Sequence, residues 1–157
     1  MTSQELRQSI ENVNGKVAQL DAEIGALAVA QLDGGKLQPG QVAGLLVDKH
    51  VAGAQLVELR RRLRLAEDDD LRTQIADLSA QEAALAAEMA PLDAEMTALE
   101  REHQHLPTSP VYDVLDSEIA ARGTLLQARF NGLYNAKNSL SRVRDDLVGQ
   151  LRARGAA

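Results

Sequence analysis

The chain has 157 residues, a net charge of −6 and no cysteine, which is enough length for one ordinary domain and excludes disulfides and thiolate zinc sites. Apolar residues make up 45% of it but aromatic residues only 2%, which excludes a thick core built on Phe, Tyr and Trp. Leu, Ala, Val, Ile and Met remain, and these suit narrow seams between helices.

Charge is segregated along the chain. Residues 1–32 carry 2 basic and 4 acidic groups, and residues 33–66 carry 6 and 3. Residues 67–106 carry 2 and 11, and residues 107–157 carry 7 and 5. Antiparallel hairpins between consecutive stretches therefore pair opposite signs.

The first helix is expected over 3–32. Thr2-x-x-Glu5 fits a capping box, in which hydroxyl and carboxylate satisfy each other's orphan amides. Leu6, Ile10, Val13, Val17, Leu20, Ile24 and Leu27 then follow at alternating three and four residues, the spacing of a coiled-coil seam. Asp33-Gly34-Gly35 ends the helix with a glycine available for the left-handed cap. After a short turn, Pro39 suits the start of the next helix.

The second helix is expected over 41–106, 66 residues without Gly-Pro or Asn-Gly punctuation. One straight helix of that size is about 100 Å long at 1.5 Å per residue. Its seam runs through Leu71, Ile75, Leu78, Leu85, Met89, Leu92, Met96, Leu99 and Leu106, interrupted only at Glu82 and His103. Upstream, the stripe Leu56, Leu59, Leu63 is out of register by one residue, with the slip at Glu67-Asp68-Asp69-Asp70. Such a slip either alters the supercoil locally or bends the chain, with an Asp as a new N-cap. Pro91 removes one backbone hydrogen bond and is expected to kink the helix, since the seam keeps phase across it.

Leu106-Pro107-Thr108-Ser109-Pro110 forms the second turn, with Ser109 as N-cap and Asp113 and Asp116 favouring the helix start. The third helix is expected over 110–152, with a seam through Leu115, Ile119, Leu126, Phe130, Leu133, Leu140, Leu147 and Leu151. Gly123 and Gly132 lie inside it and weaken it by about 1 kcal/mol each relative to Ala.

Candidate chemistry is sparse. His103-Gln104-His105 is the only histidine cluster, and residues two apart on a helix point to different faces, so no metal site is expected. Glu67-Asp68-Asp69-Asp70 lacks the alternating ligands and glycine of an EF-hand loop and reads as a solvated charge run. Arg60, Arg61, Arg62 and Arg64 form an anion or partner patch. Four acids follow it and no aromatic residue lies nearby for base stacking. No Gly-rich phosphate loop, catalytic triad order or cysteine nucleophile is present, so neither enzymatic activity nor a cofactor is expected.

These features predict an all-α fold over a single domain, 1–157. Extended antiparallel coiled-coil hairpins form around one long, Pro91-kinked central helix. The alternative is a compact four-helix bundle that bends at Asp68, Asp69 and Asp70. The expected role is non-enzymatic: a spacer, adaptor or scaffold acting through protein–protein contact, such as a component of a bacterial or viral particle or a secretion-stalk-like hairpin. Apolar residues beside the seams, namely Leu45 next to Leu46, Leu125 next to Leu126, and Phe130 with Tyr134, mark an interaction surface for a second copy or another helical protein. Association with nucleic acid through the four arginines and the basic C-terminal helix is the alternative function. No apolar run approaches the roughly 20 residues that span a bilayer, and the first residues lack the charged and apolar regions of a signal peptide. The expected location is the cytoplasm or the interior of a macromolecular particle.

Overall fold

The computed structural model describes residues 1–34, 39–106 and 113–155. Three helices account for nearly all of them: α1 (Ser3–Leu32), α2 (Pro39–Gln104) and α3 (Asp113–Ala153), with no strand among the described residues.

α1 begins as its sequence dictates. The Glu5 amide donates to Thr2 Oγ1 at 3.2 Å and the Thr2 amide donates to Glu5 Oε2 at 2.7 Å, completing the capping box. The helix closes at Gly34, whose φ of 83° is accessible to glycine without Cβ strain and lets its amide donate to the Gln31 carbonyl at 3.2 Å.

α2 is a single element of 66 residues, helical through Glu67, Asp68, Asp69 and Asp70 and through Pro91. No new helix starts at the acidic run, so the described residues form three helices rather than four. α2 spans 39–104 rather than 41–106. Pro39 already has the backbone of a first helical turn. At the other end Leu106 precedes Pro107, and a residue in that position disfavours the helical region. The last carbonyls are instead taken by the His105 and Leu106 amides, the latter donating to His103 at 3.2 Å. α3 starts at Asp113 with Asp113 and Asp116 in its first turn. The expected cap at Ser109 and Pro110 lies outside the described residues.

Contacts group the chain into two compact units, Met1–Asp70 and Leu71–Ala157. The boundary falls where the two seams of α2 slip register.

In Met1–Asp70, α1 and residues 39–70 of α2 run antiparallel. Arg7 meets Glu67 at 2.7 Å near one end, and Asp21 meets Lys49 at 2.5 Å further along. Leu6 and Leu20 are buried, and Ile10, Val13, Val17, Ile24 and Leu27 are half-buried, so all seven seam positions of α1 face α2. The opposing row is Val42, Leu45, Lys49, Ala52, Leu56, Leu59 and Leu63, with Ala52 only 1% exposed. Leu45 thus belongs to the seam, while Leu46 beside it is 51% exposed.

In Leu71–Ala157, residues 71–104 of α2 pair antiparallel with α3 through Glu95–Arg122 and through His103–Asp116 at 2.6 Å. The α2 row Leu71, Ile75, Leu78, Glu82, Leu85, Met89, Leu92, Met96 and Leu99 has low exposure throughout. The α3 row is Ile119, Gly123, Leu126, Phe130, Leu133, Lys137, Leu140, Arg144, Leu147 and Leu151, spaced four and three residues throughout. Leu115, expected at its start, is 38% exposed.

Both units are held by single rows of aliphatic side chains, each buried Leu contributing on the order of 1.5–3 kcal/mol. Leu20→Ala and Leu92→Ala are each expected to destabilise the protein by about 2–5 kcal/mol, measured by urea unfolding. Glu11→Ala, on the exposed side of α1, is expected to stay within about 0.5 kcal/mol of wild type.

Candidate functional site

The acidic run at Glu67 to Asp70 is more than a solvated patch. α1 delivers Arg7 to Glu67, and Ser3 Oγ donates to Asp70 Oδ2 at 2.6 Å. Asp68 is 4% exposed. The helix-start end of α1 is therefore seated on these carboxylates, and the run acts as a dock within Met1–Asp70. No group of three or more potential ligands capable of holding a metal ion occurs among the described residues.

Further upstream on α2, Glu58 accepts from both Arg61, at 2.9 and 3.0 Å, and Arg62, at 2.8 Å. Hydrogen bonds from Arg61, then Arg62, pull the Glu58 carboxyl from its ordinary 4.5 down to about 2, and the same contact raises the Arg61 guanidinium further. Two of the four arginines are thus partly neutralised along the helix. Arg60 and Arg64 are exposed and make no ion pair among the described residues.

In Leu71–Ala157 the seam contains a charge pair with a buried carboxylate and a half-buried guanidinium. Glu82 Oε2 accepts from Arg144 Nη1 at 2.8 Å, with the Glu82 residue 8% exposed. Arg144 also donates from Nη2 to Asp145 at 2.9 Å, and that hydrogen bond, then the Glu82 charge, raises its guanidinium above the ordinary value. In the sequence Glu82 stands only as an interruption of the seam, and Arg144 is passed over. The signal was present: Leu140, Arg144 and Leu147 keep the four-and-three spacing, which places Arg144 in the row that meets α2.

Near the far end of the same unit, Met96, Leu99, His103, Ile119 and Gly123 line an open, mainly apolar hollow of about 640 Å³. Gly123 helps to leave this space, since a Cβ built on it meets nothing within 4 Å. His103 at the rim is held by Asp116, and Thr124 spends its hydroxyl on the Ala120 carbonyl at 2.9 Å. The other cluster histidine, His105, turns back to the Arg101 carbonyl at 2.6 Å. The two histidines point apart, as their spacing requires.

Of the four apolar residues expected on an interaction surface, Leu125 is 72% exposed and Tyr134 about half exposed. Leu45 and Phe130 are half-buried in the rows of their own units. The structure adds Leu46, Val47, Val51 and Val57 on the outside of α2 and Val143 on α3, all about half exposed or more. Val47 and Val57, with His50 and Ala54 between them, keep a three-and-four spacing on the side of α2 away from its seam. No helix among the described residues is long and apolar enough to cross a membrane. No protein-family model, curated protein or solved structure matches the chain.

Two outcomes follow from the charges. The Glu58 carboxyl is lowered, so its contribution is present above pH 4.5 and is lost as the pH falls toward about 2. Carboxyl-carbon NMR is expected to show Glu58 still ionised near pH 3, and to show its midpoint moving up toward 4.5 in the Arg61→Gln, Arg62→Gln double variant. At the seam, Glu82→Ala removes the contact that ties Arg144 to α2, leaves Arg144 with Asp145 and solvent, and is expected to lower the thermal midpoint. Replacing both members by Leu is expected to match or exceed wild type, because a well-packed apolar pair avoids the desolvation of the Glu82 carboxylate.

Proposed function

We propose that this protein is a non-enzymatic structural or assembly factor, a spacer, adaptor or scaffold that works by presenting helix faces to other helices. Each antiparallel helix pair is read as a coiled-coil hairpin, with Pro91, which removes one backbone hydrogen bond, placing a kink in α2. A component of a larger bacterial or viral particle, or a secretion-stalk-like hairpin, fits these dimensions of helix.

The observation that carries the reading is the exposure of Leu46, Val47, Val57 and Leu125 on helices whose inward rows are already filled. Apolar side chains aligned along one helix side mark a partner surface. The four arginines support a protein-facing role better than a nucleic-acid one, since Glu58 occupies Arg61 and Arg62 and no aromatic residue accompanies them.

Size exclusion with light scattering is expected to give a mass above that of one chain, rising with concentration, and dilute samples are expected to bind an apolar-surface dye. A single-chain mass at high micromolar concentration together with no dye binding contradicts the assembly reading. Steep, salt-sensitive binding to nucleic acid supports the alternative instead.

A further inference from the structure

The outward side of α2 carries a second row in each unit, and the two rows differ in kind. In Met1–Asp70 it runs through Val47, His50, Ala54 and Val57, three and four residues apart, with Leu46 alongside. Val47 is 61% and Val57 70% exposed. Leu46, His50, Gly53 and Val57 line a shallow hollow of about 600 Å³ on this side. The next positions of the row and its edge are Arg60, Arg61 and Arg64, so a bulky apolar face ends in cations.

In Leu71–Ala157 the corresponding outward row on α2 is Ala80, Ala84, Ala87, Pro91, Ala94 and Ala98, all exposed, with Arg101 at its end. These positions lie about half a turn from the Leu78, Glu82, Leu85 row that meets α3. Asp77 stands in this row, and Glu88 and Glu102 stand on its edge at multiples of seven residues. Glu95, on the same edge, is engaged by Arg122.

The two faces complement each other in size and in sign. Val and Leu side chains seat against a helix side built mainly of alanine methyl groups between Asp77 and Arg101, which lets two helix axes approach closely. The cationic end of the first meets the carboxylates of the second, whereas cations set against cations, or acids against acids, repel. Residues 33–66 carry 6 basic and 3 acidic groups and residues 67–106 carry 2 and 11, so the contrast extends over both segments.

We infer that the partner of the Leu46, Val47, Val57 face is a second copy of this chain, which covers it with the alanine face of its own residues 77–102. The inference rests on the assembly reading and names the occupant of one of its surfaces. Arg60 and Arg64 set specificity by facing Asp77, Glu88 or Glu102 of the other copy.

The test is sedimentation equilibrium of the full chain in three forms: wild type, Arg60→Glu with Arg64→Glu, and Glu88→Lys with Glu102→Lys. All four positions are exposed, and circular dichroism on the same samples checks that helicity is kept. Each variant alone is expected to self-associate at least about tenfold more weakly than wild type, and an equimolar mixture of the two is expected to recover wild-type affinity within about threefold. The milder Arg60→Gln, Arg64→Gln variant is expected to fall between wild type and the reversal. Wild-type association that survives both reversals overturns the inference and leaves the assembly reading standing with a contact elsewhere, such as Leu125. A single-chain mass for wild type with clear dye binding also overturns it, and points to a different helical protein as the occupant.

Discussion

Everything in this chain depends on burying aliphatic side chains along a line rather than inside a volume. A helix can offer a partner only the residues that return to one side every three and four positions. With almost no aromatic side chains, each helix pair must gather its apolar burial from Leu, Ile, Val, Met and Ala in single file. This is why Leu6, Leu20, Leu56, Leu71, Leu92, Leu99, Ile119 and Leu151 are buried while most of their neighbours in sequence are exposed. No large side chain is wholly withdrawn from solvent among the described residues.

A narrow seam specifies direction and register weakly, because one aliphatic row resembles itself after a shift of one heptad. The polar members of the rows supply what the aliphatic ones lack. In Met1–Asp70, Arg7 on Glu67, Ser3 on Asp70 and Asp21 on Lys49 tie α1 to α2 at separate heights. In Leu71–Ala157, Glu82 with Arg144, and Glu95 with Arg122, do the same for α3. Exposed pairs of this kind contribute at most about 1 kcal/mol each. Their effect lies in the unfavourable contacts that a slipped register creates. A shift by one heptad sets Arg144 against Ile75 or Met89 and leaves the Glu82 carboxylate without its cation. Fixing register is the best-attested use of polar groups in such a seam.

Much of this was legible from spacing alone. The α1 bounds, its capping box and all seven of its seam residues follow from the sequence, because propensity, capping and periodicity agree there. The boundary between the two units coincides with the register slip at the acidic run. Other features were hidden where apolarity served as the only marker of burial. Ala52 and Lys49 belong to the α2 row by position, yet one is small and the other charged; Lys49 takes part by directing its amine to Asp21. Leu45 and Leu46 are equally apolar, and only the phase set by α1 decides that the first turns inward. Glu82 reads as a flaw in the α2 seam and Arg144 stands unmarked between Leu140 and Leu147, and the two become one feature once the helices are side by side. The exposed α2 faces were obscured for the same reason, since a second row at the same period cannot be told from scatter around the first.

α2 is thus a helix with two sides, one filled by the chain's own helices and one, on the proposed reading, left for a partner. The central claim is that each half of α2 takes its stability from a different neighbour. Native-state hydrogen exchange, followed amide by amide at low concentrations of denaturant, tests that claim most directly. The expected result is that α1 and residues 39–70 open together at one free energy, and that α3 and residues 71–104 open together at another. Uniform exchange along the whole of α2, with α1 and α3 opening independently of it, would contradict the claim.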